Sequence, residues 1–375
     1  MNRTIGGRSL QSELLEALRK DYFLWALLAA LALLTAYAPQ RVSEYAALVD
    51  WRTVAALAGM LILSKGIELS GYLHRLGRRL IDHLSSERSL ALFLVTSAAL
   101  LSMLITNDVA LFVLVPLTVS LRAISSVPIT RLVVFEALAV NAGSALTPIG
   151  NPQNLFLWQA SGVPFHEYFV AMTPLAFCML APLFLLTACA FGSRKAALEE
   201  HAPLPHTRKP LLWLSLALYI PFLAMIEVHH ASAAMLAVLA LFVVLHRPVL
   251  VRVDWLLILT FILMFIDLRL VAGLPLVRSV LESLHLSDPR SLYLTGVGAS
   301  QFISNVPAAI LLAKYSDDWR VIAYGVNVGG FGFLLGSLAN LIAMRMAGDR
   351  RFWLVFHAYS VPFLVVAAAL VYFTL

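Results

Sequence analysis

The stretch NAGSALTPIGNPQN, residues 141–154, returns at residues 327–340 as NVGGFGFLLGSLAN. At an offset of 186, Asn141, Gly143, Gly150, Asn154 and Leu155 fall on Asn327, Gly329, Gly336, Asn340 and Leu341. The chain around both copies is apolar. Amides and glycines in hydrocarbon are costly, because lipid offers them no hydrogen-bond partner. Upstream of each copy stands another polar break, Thr106-Asn107-Asp108 in the first half and Ser304-Asn305-Val306 in the second. Two matched sets predict one site built from two halves, the arrangement of a transporter.

Composition points the same way. Of 375 residues 61% are hydrophobic and only 13% charged, with mean hydropathy +0.86. A soluble domain carries about 25% charged residues. Roughly 20 apolar residues span a bilayer, and about nine such runs are present. The N-terminal MNRTIGGRSLQSELLEALRKD lacks the apolar core and small-residue site of a cleavable signal, so the first span, from near Tyr22, is expected to stay. Net charge +6 does not imply nucleic acid, because the basic residues sit in short connections on alternate sides. With the N-terminus in the cytosol, 19 of the 27 Lys and Arg lie inside and 6 outside, with Lys65 and Arg269 near or within spans. This orientation places the protein in the cell inner membrane. Cys178 and Cys189 share one span; about 16 Å of helical rise separates them, too far for a disulfide.

The expected fold is all-α and polytopic, about nine spans plus two re-entrant hairpins in two inverted repeats. Residues 1–21 form a cytosolic N-terminus, and 22–50 the first span and outer loop. The first repeat is 51–192, followed by a cytosolic linker at 193–210 and connecting spans at 211–253. The second repeat is 254–375. GYLHRLGRRLIDHL, 71–84, reads as an interfacial amphipathic helix. Residues 89–121 and 291–315 are apolar segments with a polar tip at mid-length, which predicts hairpins. Pro148 and Pro152, with Gly143 and Gly150, break the span at 132–160; its counterpart is 321–343. Asp254-Trp255 opens a span from the inside as Asp50-Trp51 opens one from the outside, so the repeats run in opposite directions, as in many secondary transporters.

At the tips, an offset of 198 carries Ser102, Thr106 and Asn107 onto Ser300, Ser304 and Asn305. Their hydroxyl, amide and carbonyl oxygens are hard ligands suited to Na⁺. The second half of each hairpin and of each broken helix begins at a break, where unpaired N–H groups and the positive dipole end favour an anion. The bland account is that such Asn and Ser only bond neighbouring helices. Asp108 is the one acid at a tip and its mate is Val306; it is a proton carrier or cation ligand, or merely a cap. Asp267 with Arg269, and Lys65 with Glu68, stand near span ends, where snorkelling accounts for all four. Glu136 is either a buried partner or a packing residue. His229-His230 falls in a short outer loop. No metal-ligand spacing, nucleophile–base pair or nucleotide-binding glycine pattern stands out.

TNDVALFVLVP (106–116), SNVPAAILLA (304–313) and GSLANLIA (336–343) resemble the ion transporter superfamily, which holds arsenite permeases, sodium/proton antiporters, citrate transporters and divalent-anion symporters. The branch most similar is that of arsenite-permease-like bacterial anion transporters, and the resemblance covers about residues 50–375. It implies two inverted repeats, often in a homodimer, and a small anion, oxyanion or carboxylate, moved with Na⁺ or H⁺ and no cofactor. Arsenite efflux and Na⁺/H⁺ exchange without an anion are the other activities on this scaffold. It implies one cation site at Ser102, Thr106, Asn107 and the backbone near Gly143, and a mirror site at Ser300, Ser304, Asn305 and the backbone near Gly329. Asn141, Ser144, Asn151, Asn154, Asn327, Gly330, Ser337 and Asn340 complete the candidate surface. Where carboxylate symporters carry Ser-Asn-Thr, this chain has Asp108 or Val306 third, and an anionic Asp108 repels a carboxylate.

Overall fold

The computed structural model describes residues 22–72, 75, 86–121, 127–193 and 207–375. The N-terminal segment, most of the expected amphipathic helix and most of the linker lie outside the described residues. Those described form helices joined by turns: an all-α, polytopic architecture.

Helix α1 (Tyr22–Tyr37) leads to a 3₁₀ turn and a single-turn helix that fold back on it by 120°. Helix α2 (Trp51–Leu69) then begins at Asp50, whose carboxylate accepts from the backbone N–H groups of Arg52 and Thr53. Such a cap satisfies donors that a helix start leaves open. Trp51 closes the turn behind it, its indole N–H donating to the Ala46 carbonyl at 2.8 Å. The same device recurs at α10 (Trp255–Val271). There Asp254 accepts from Leu257 N–H, and the Trp255 indole donates to the carbonyl five residues back, at 2.8 Å.

The first expected hairpin is α3 (Glu87–Leu104) and α4 (Asn107–Ser120). The first broken span is α5 (Ile129–Ser144) and α6 (Pro152–Ser161). Helices α7 (Phe165–Ala190), α8 (Lys209–Glu227) and α9 (Ala231–Leu245) follow. After α10 the chain bends by 81° into α11 (Pro275–Ser283), a short amphipathic helix between the expected span and the second hairpin. The second hairpin is α12 (Pro289–Ile303) and α13 (Asn305–Leu312), and the second broken span is α14 (Trp319–Val328) and α15 (Leu338–Ala347). Helix α16 (Phe352–Tyr372) ends the fold. Among the described residues, α3, α7, α8 and α16 can each cross a bilayer by length and apolarity alone, and counting each bent pair as one span raises that to six. Of the other expected spans, α2 is an unbroken 19-residue helix of lower apolarity, and the rest are shorter apolar helices or pieces of broken ones.

The two hairpins pack against the broken spans. Helix α3 lies along α5, and α12 along α14. The approach is so close that a Cβ on Gly143 would stand 2.4 Å from the Ala99 carbonyl oxygen, and one on Gly329 2.5 Å from the Ser300 Cβ. Only glycine fits at these two matched positions.

Segment ends fall into two groups. In one, Arg88 donates to the Phe191 carbonyl, Arg131 to the Ala190 carbonyl, and Arg208 N–H to the Ser70 carbonyl. In the other, Arg269 donates to the Leu48 carbonyl and Tyr315 to the Ala272 carbonyl. Each group draws only on segments that the loop charges assign to a single side.

Candidate functional site

Both hairpins turn on one residue held at positive φ. Thr106 has φ 108° and Ser304 φ 69°, and they are repeat mates. Such a conformation in a non-glycine residue costs about 1–3 kcal/mol and persists only where surrounding structure imposes it. At the first tip the surroundings are visible. The Asn107 N–H donates to the Gly150 carbonyl at 2.8 Å, so the tip is bonded to the break of the first broken span. Ser64 donates to the Ile105 carbonyl and Tyr219 to the Leu104 carbonyl, which answers the acceptors left open at the end of α3. Asp108 N–H donates to Asn107 Oδ1 and Val109 N–H to Thr106 Oγ1. The expectation that the N–H groups at the start of α4 stand unpaired is therefore corrected. Short polar side chains at a helix start cap it themselves.

The four matched asparagines meet in a reciprocal clasp. Asn141 donates to Asn340 Oδ1 at 2.8 Å, and Asn327 donates to Asn154 Oδ1 at 2.7 Å. Exchanging the two halves turns one bond into the other. Asn151 joins both halves, donating to Ser144 Oγ and to Asn327 Oδ1, each at 3.0 Å. Asn154 accepts in this clasp while its own amide nitrogen reaches the Ser144, Ala145 and Thr147 carbonyls, which the break in the span has freed. Asn340 does the same for the Gly330 carbonyl. Each of these amides is buried. A buried polar group left without a partner costs about 1–3 kcal/mol, so the clasp holds the two broken spans in register.

A cavity of about 250 Å³ opens beside the clasp, lined by α2, α4, α10 and α15. Lys65, Asp254, Thr260 and Arg345 stand on its wall with Asp108. A further void of about 10 Å³, near the size of one water, continues past Thr106 and Asp108 to Asn151. Asp108 is 7% exposed, and its Oδ1 has no hydrogen-bond partner. Capping is done by its neighbours, which leaves this carboxylate aimed into the cavity. Lys65 pairs with Glu68 at 2.6 Å and lies over the Phe112 ring. It belongs to the cavity and not merely to a span end.

The remaining sequence-predicted residues divide. Ser102 donates to the Ala99 carbonyl and Ser300 to the Gly296 carbonyl, so their protons are committed to their own helices and lone pairs remain as acceptors. Asn305 is buried and its amide lies near Gly330 and Asn141. Ser337 caps α15 through the Ala339 N–H. Asp267 departs from expectation. It is 2% exposed with neither oxygen partnered, and it makes no ion pair with Arg269. One methylene is too short to snorkel, whereas the arginine reaches the Leu48 carbonyl. Glu136 accepts from Thr118 across α4 and α5, which settles it as a buried partner. Sequence reasoning missed Gln301, which ties the second break together by donating to the Gly329 and Phe331 carbonyls and accepting from Phe333 N–H. It also missed Arg345, counted only as a loop charge. Its position, five residues after Asn340, was the available signal.

The citrate transporter family matches residues 15–318 of the chain. The chain belongs to that family. Inner membrane protein YbiR of Escherichia coli strain K12 is 46% identical over 359 residues, 96% of each chain. A Methanocaldococcus jannaschii protein, uncharacterized transporter MJ0456, is 29% identical over 86% of this chain and 89% of its own. The silicon efflux transporter LSI3 of Oryza sativa subsp. japonica is 27% identical over 44% of this chain and 34% of its own. Family and relatives together make this an integral membrane transporter, not an enzyme.

Proposed function

We propose that the protein is a secondary active transporter of the inner membrane, moving a small oxyanion or carboxylate in exchange or symport with Na⁺ or H⁺. The observation that carries this reading is the cavity that ends on the unpartnered Asp108 carboxylate beside the asparagine clasp. In it, Arg345 lines the approach beside the Lys65–Glu68 pair and attracts an anion, while Asp108 takes the coupling proton or cation at the end. The oxygens of Ser102, Thr106 and Asn107 stand ready to share a Na⁺ with it, and Ser300, Ser304 and Asn305 form the mirror set. On this reading the repeats are inverted, the N-terminus is cytosolic, the cavity faces the cytosol and the protein works as a homodimer. The reciprocal asparagine bonds and the twin Asp-Trp openings support the inversion. Alternating access then exposes the site to one side at a time, with the clasp as the shared floor.

The test is flux in proteoliposomes over a panel of oxyanions and carboxylates, arsenite and citrate among them, with and without a Na⁺ or pH gradient. Gradient-driven accumulation of one of them is the expected result. Fast flux that no gradient drives uphill would make the protein a channel. A second reading has its own observation. Asp108 is the sole acid at a tip, and one carboxylate suffices for Na⁺/H⁺ exchange with no anion. Dye-reported proton flux driven by Na⁺ alone separates the two.

A further inference from the structure

The opposite end of α10 from Asp254 carries a second polar concavity, of about 390 Å³. Seventeen helical residues, about 25 Å of rise, separate it from the cavity at Asp108. Arg41 reaches it from the turn after α1, Arg269 from the end of α10, Arg278 from α11, and Lys314 from the turn after α13. Ala272, Gly273 and Tyr315 complete the lining, which among the described residues includes no acid. The Glu44 carboxylate lies 3.1 Å from Arg41 Nε and offsets that charge. Folding thus gathers like charges from four separate segments into one hollow. Burial and then the Arg269 and Arg41 guanidinium groups hold the Lys314 ammonium below the ordinary lysine range. Several side chains are held in place. Arg269 is anchored by the Leu48 carbonyl at 2.7 Å, and Tyr315 by the Ala272 carbonyl. A Cβ on Gly273 would come within 3.3 Å of the Arg41 guanidinium.

Membrane insertion argues against such a gathering arising by chance. The loop charges put only six Lys and Arg on this side, the face that basic residues avoid. Three of those six, with Arg269, converge on one hollow. Guanidinium groups offer paired N–H donors matched to phosphate and carboxylate oxygens, and a lysine adds a point charge.

We propose that this hollow is a binding site for a multivalent oxyanion of the phosphate type, separate from the cavity at Asp108. Its occupant ties α10 and α11 to the end of the second hairpin and to the turn after α1. Two sources supply that chemistry, a dissolved oxyanion and the phosphate of an anionic lipid.

Wild-type protein in phosphatidylcholine nanodiscs is titrated with inorganic phosphate by calorimetry, beside the double variant Arg278→Gln/Lys314→Gln and the single variant Arg345→Gln. In a second arm, thermal unfolding is compared between phosphatidylcholine and phosphatidylglycerol nanodiscs. For a dissolved ion, the double variant loses, or weakens by about tenfold or more, a phosphate-binding event that Arg345→Gln retains, whether or not the cavity at Asp108 takes phosphate as well. For a lipid, phosphatidylglycerol raises the unfolding temperature of wild type and of Arg345→Gln but not of the double variant. Wild type and double variant behaving alike in both arms overturns the site. So does phosphate binding that vanishes in Arg345→Gln and survives in the double variant, which would place the ion in the other cavity.

Discussion

At the first hairpin tip Thr106 stands at φ 108°, Asn107 and Thr106 cap the helix that follows, and Asp108 looks into an open cavity. At the second tip Ser304 stands at φ 69°, no side chain caps α13, and Val306 replaces the acid. Around the second break Gln301 fills space and satisfies three backbone groups, where its repeat mate is Met103. The shared feature is the strained backbone, and the differing feature is the chemistry placed on it. Strain kept at two matched positions means that both halves need the chain reversed at that depth. Divergence in what surrounds the turn means that the halves do not offer the same chemistry there. On the proposed function, the acidic, capped tip suits a cation or proton. The uncapped tip keeps the positive helix end that an anion favours.

The largest effect expected is on the amides that both tips share. Asn107→Ala and Asn305→Ala are each expected to reduce uptake in proteoliposomes by roughly 100-fold or more, equivalent to at least about 2.7 kcal/mol of lost stabilisation, with normal expression. Wild-type uptake by either one would show that the two halves do not form one site.

Next comes the acid that only one tip carries. Asp108→Asn is expected to flatten the pH dependence of transport and lower gradient-driven uptake by about 10–100-fold, whereas Val306→Asn, its mate, does neither. An unaltered pH profile in Asp108→Asn would remove the proton role and leave Asp108 as a cation ligand at most.

Much of this comparison is legible in the amino-acid sequence. Polar letters are conspicuous in an apolar chain, so the two Asn/Gly sets, the tips and the broken spans emerge from spacing alone. Their helix limits lie within a few residues of expectation. What spacing does not give is who touches whom. It equates Asn141 with Asn327, but the contact is between Asn141 and Asn340, because equivalence under a repeat and adjacency across its axis are different relations. Gln301 stays hidden because its mate is apolar. Helix α11 does alternate apolar and polar residues at helical spacing, but at nine residues it is too short to stand out between longer spans, and the pieces of the fold-back after α1 are shorter still. Asp267 departs from its expected role because snorkelling depends on side-chain length as well as on position.

A smaller effect follows from Arg345. At the offset of 186 its mate is Gln159, so this position is cationic in only one half. Arg345→Gln makes the halves alike at this position, and is expected to raise the KM for the anion about tenfold, some 1.4 kcal/mol, with little change in the maximal rate. A fall in rate at constant KM would instead place Arg345 in the conformational step.

The smallest effect isolates the strain itself. Glycine accepts positive φ freely, so a glycine at either tip relieves the backbone. At Ser304 little is lost in exchange, since its hydroxyl makes only a 3.4 Å contact with Asn305 Oδ1. Ser304→Gly is therefore expected to stabilise the purified protein by about 0.5–1 kcal/mol. At Thr106 the strain is greater, because a β-branched residue resists that region most. Its hydroxyl, however, caps α4, and losing a cap costs about 0.5–2 kcal/mol, so Thr106→Gly is expected to be close to neutral. Thr106→Ala keeps the strain and loses the cap, and so falls below both. Thermal unfolding in detergent reads all three, and uptake by the same variants reports whether the hydroxyls also hold the transported ion. If Ser304→Gly destabilises, the positive φ at the second tip is imposed by contacts of Ser304 itself. The likeness of the two tips would then rest on different causes.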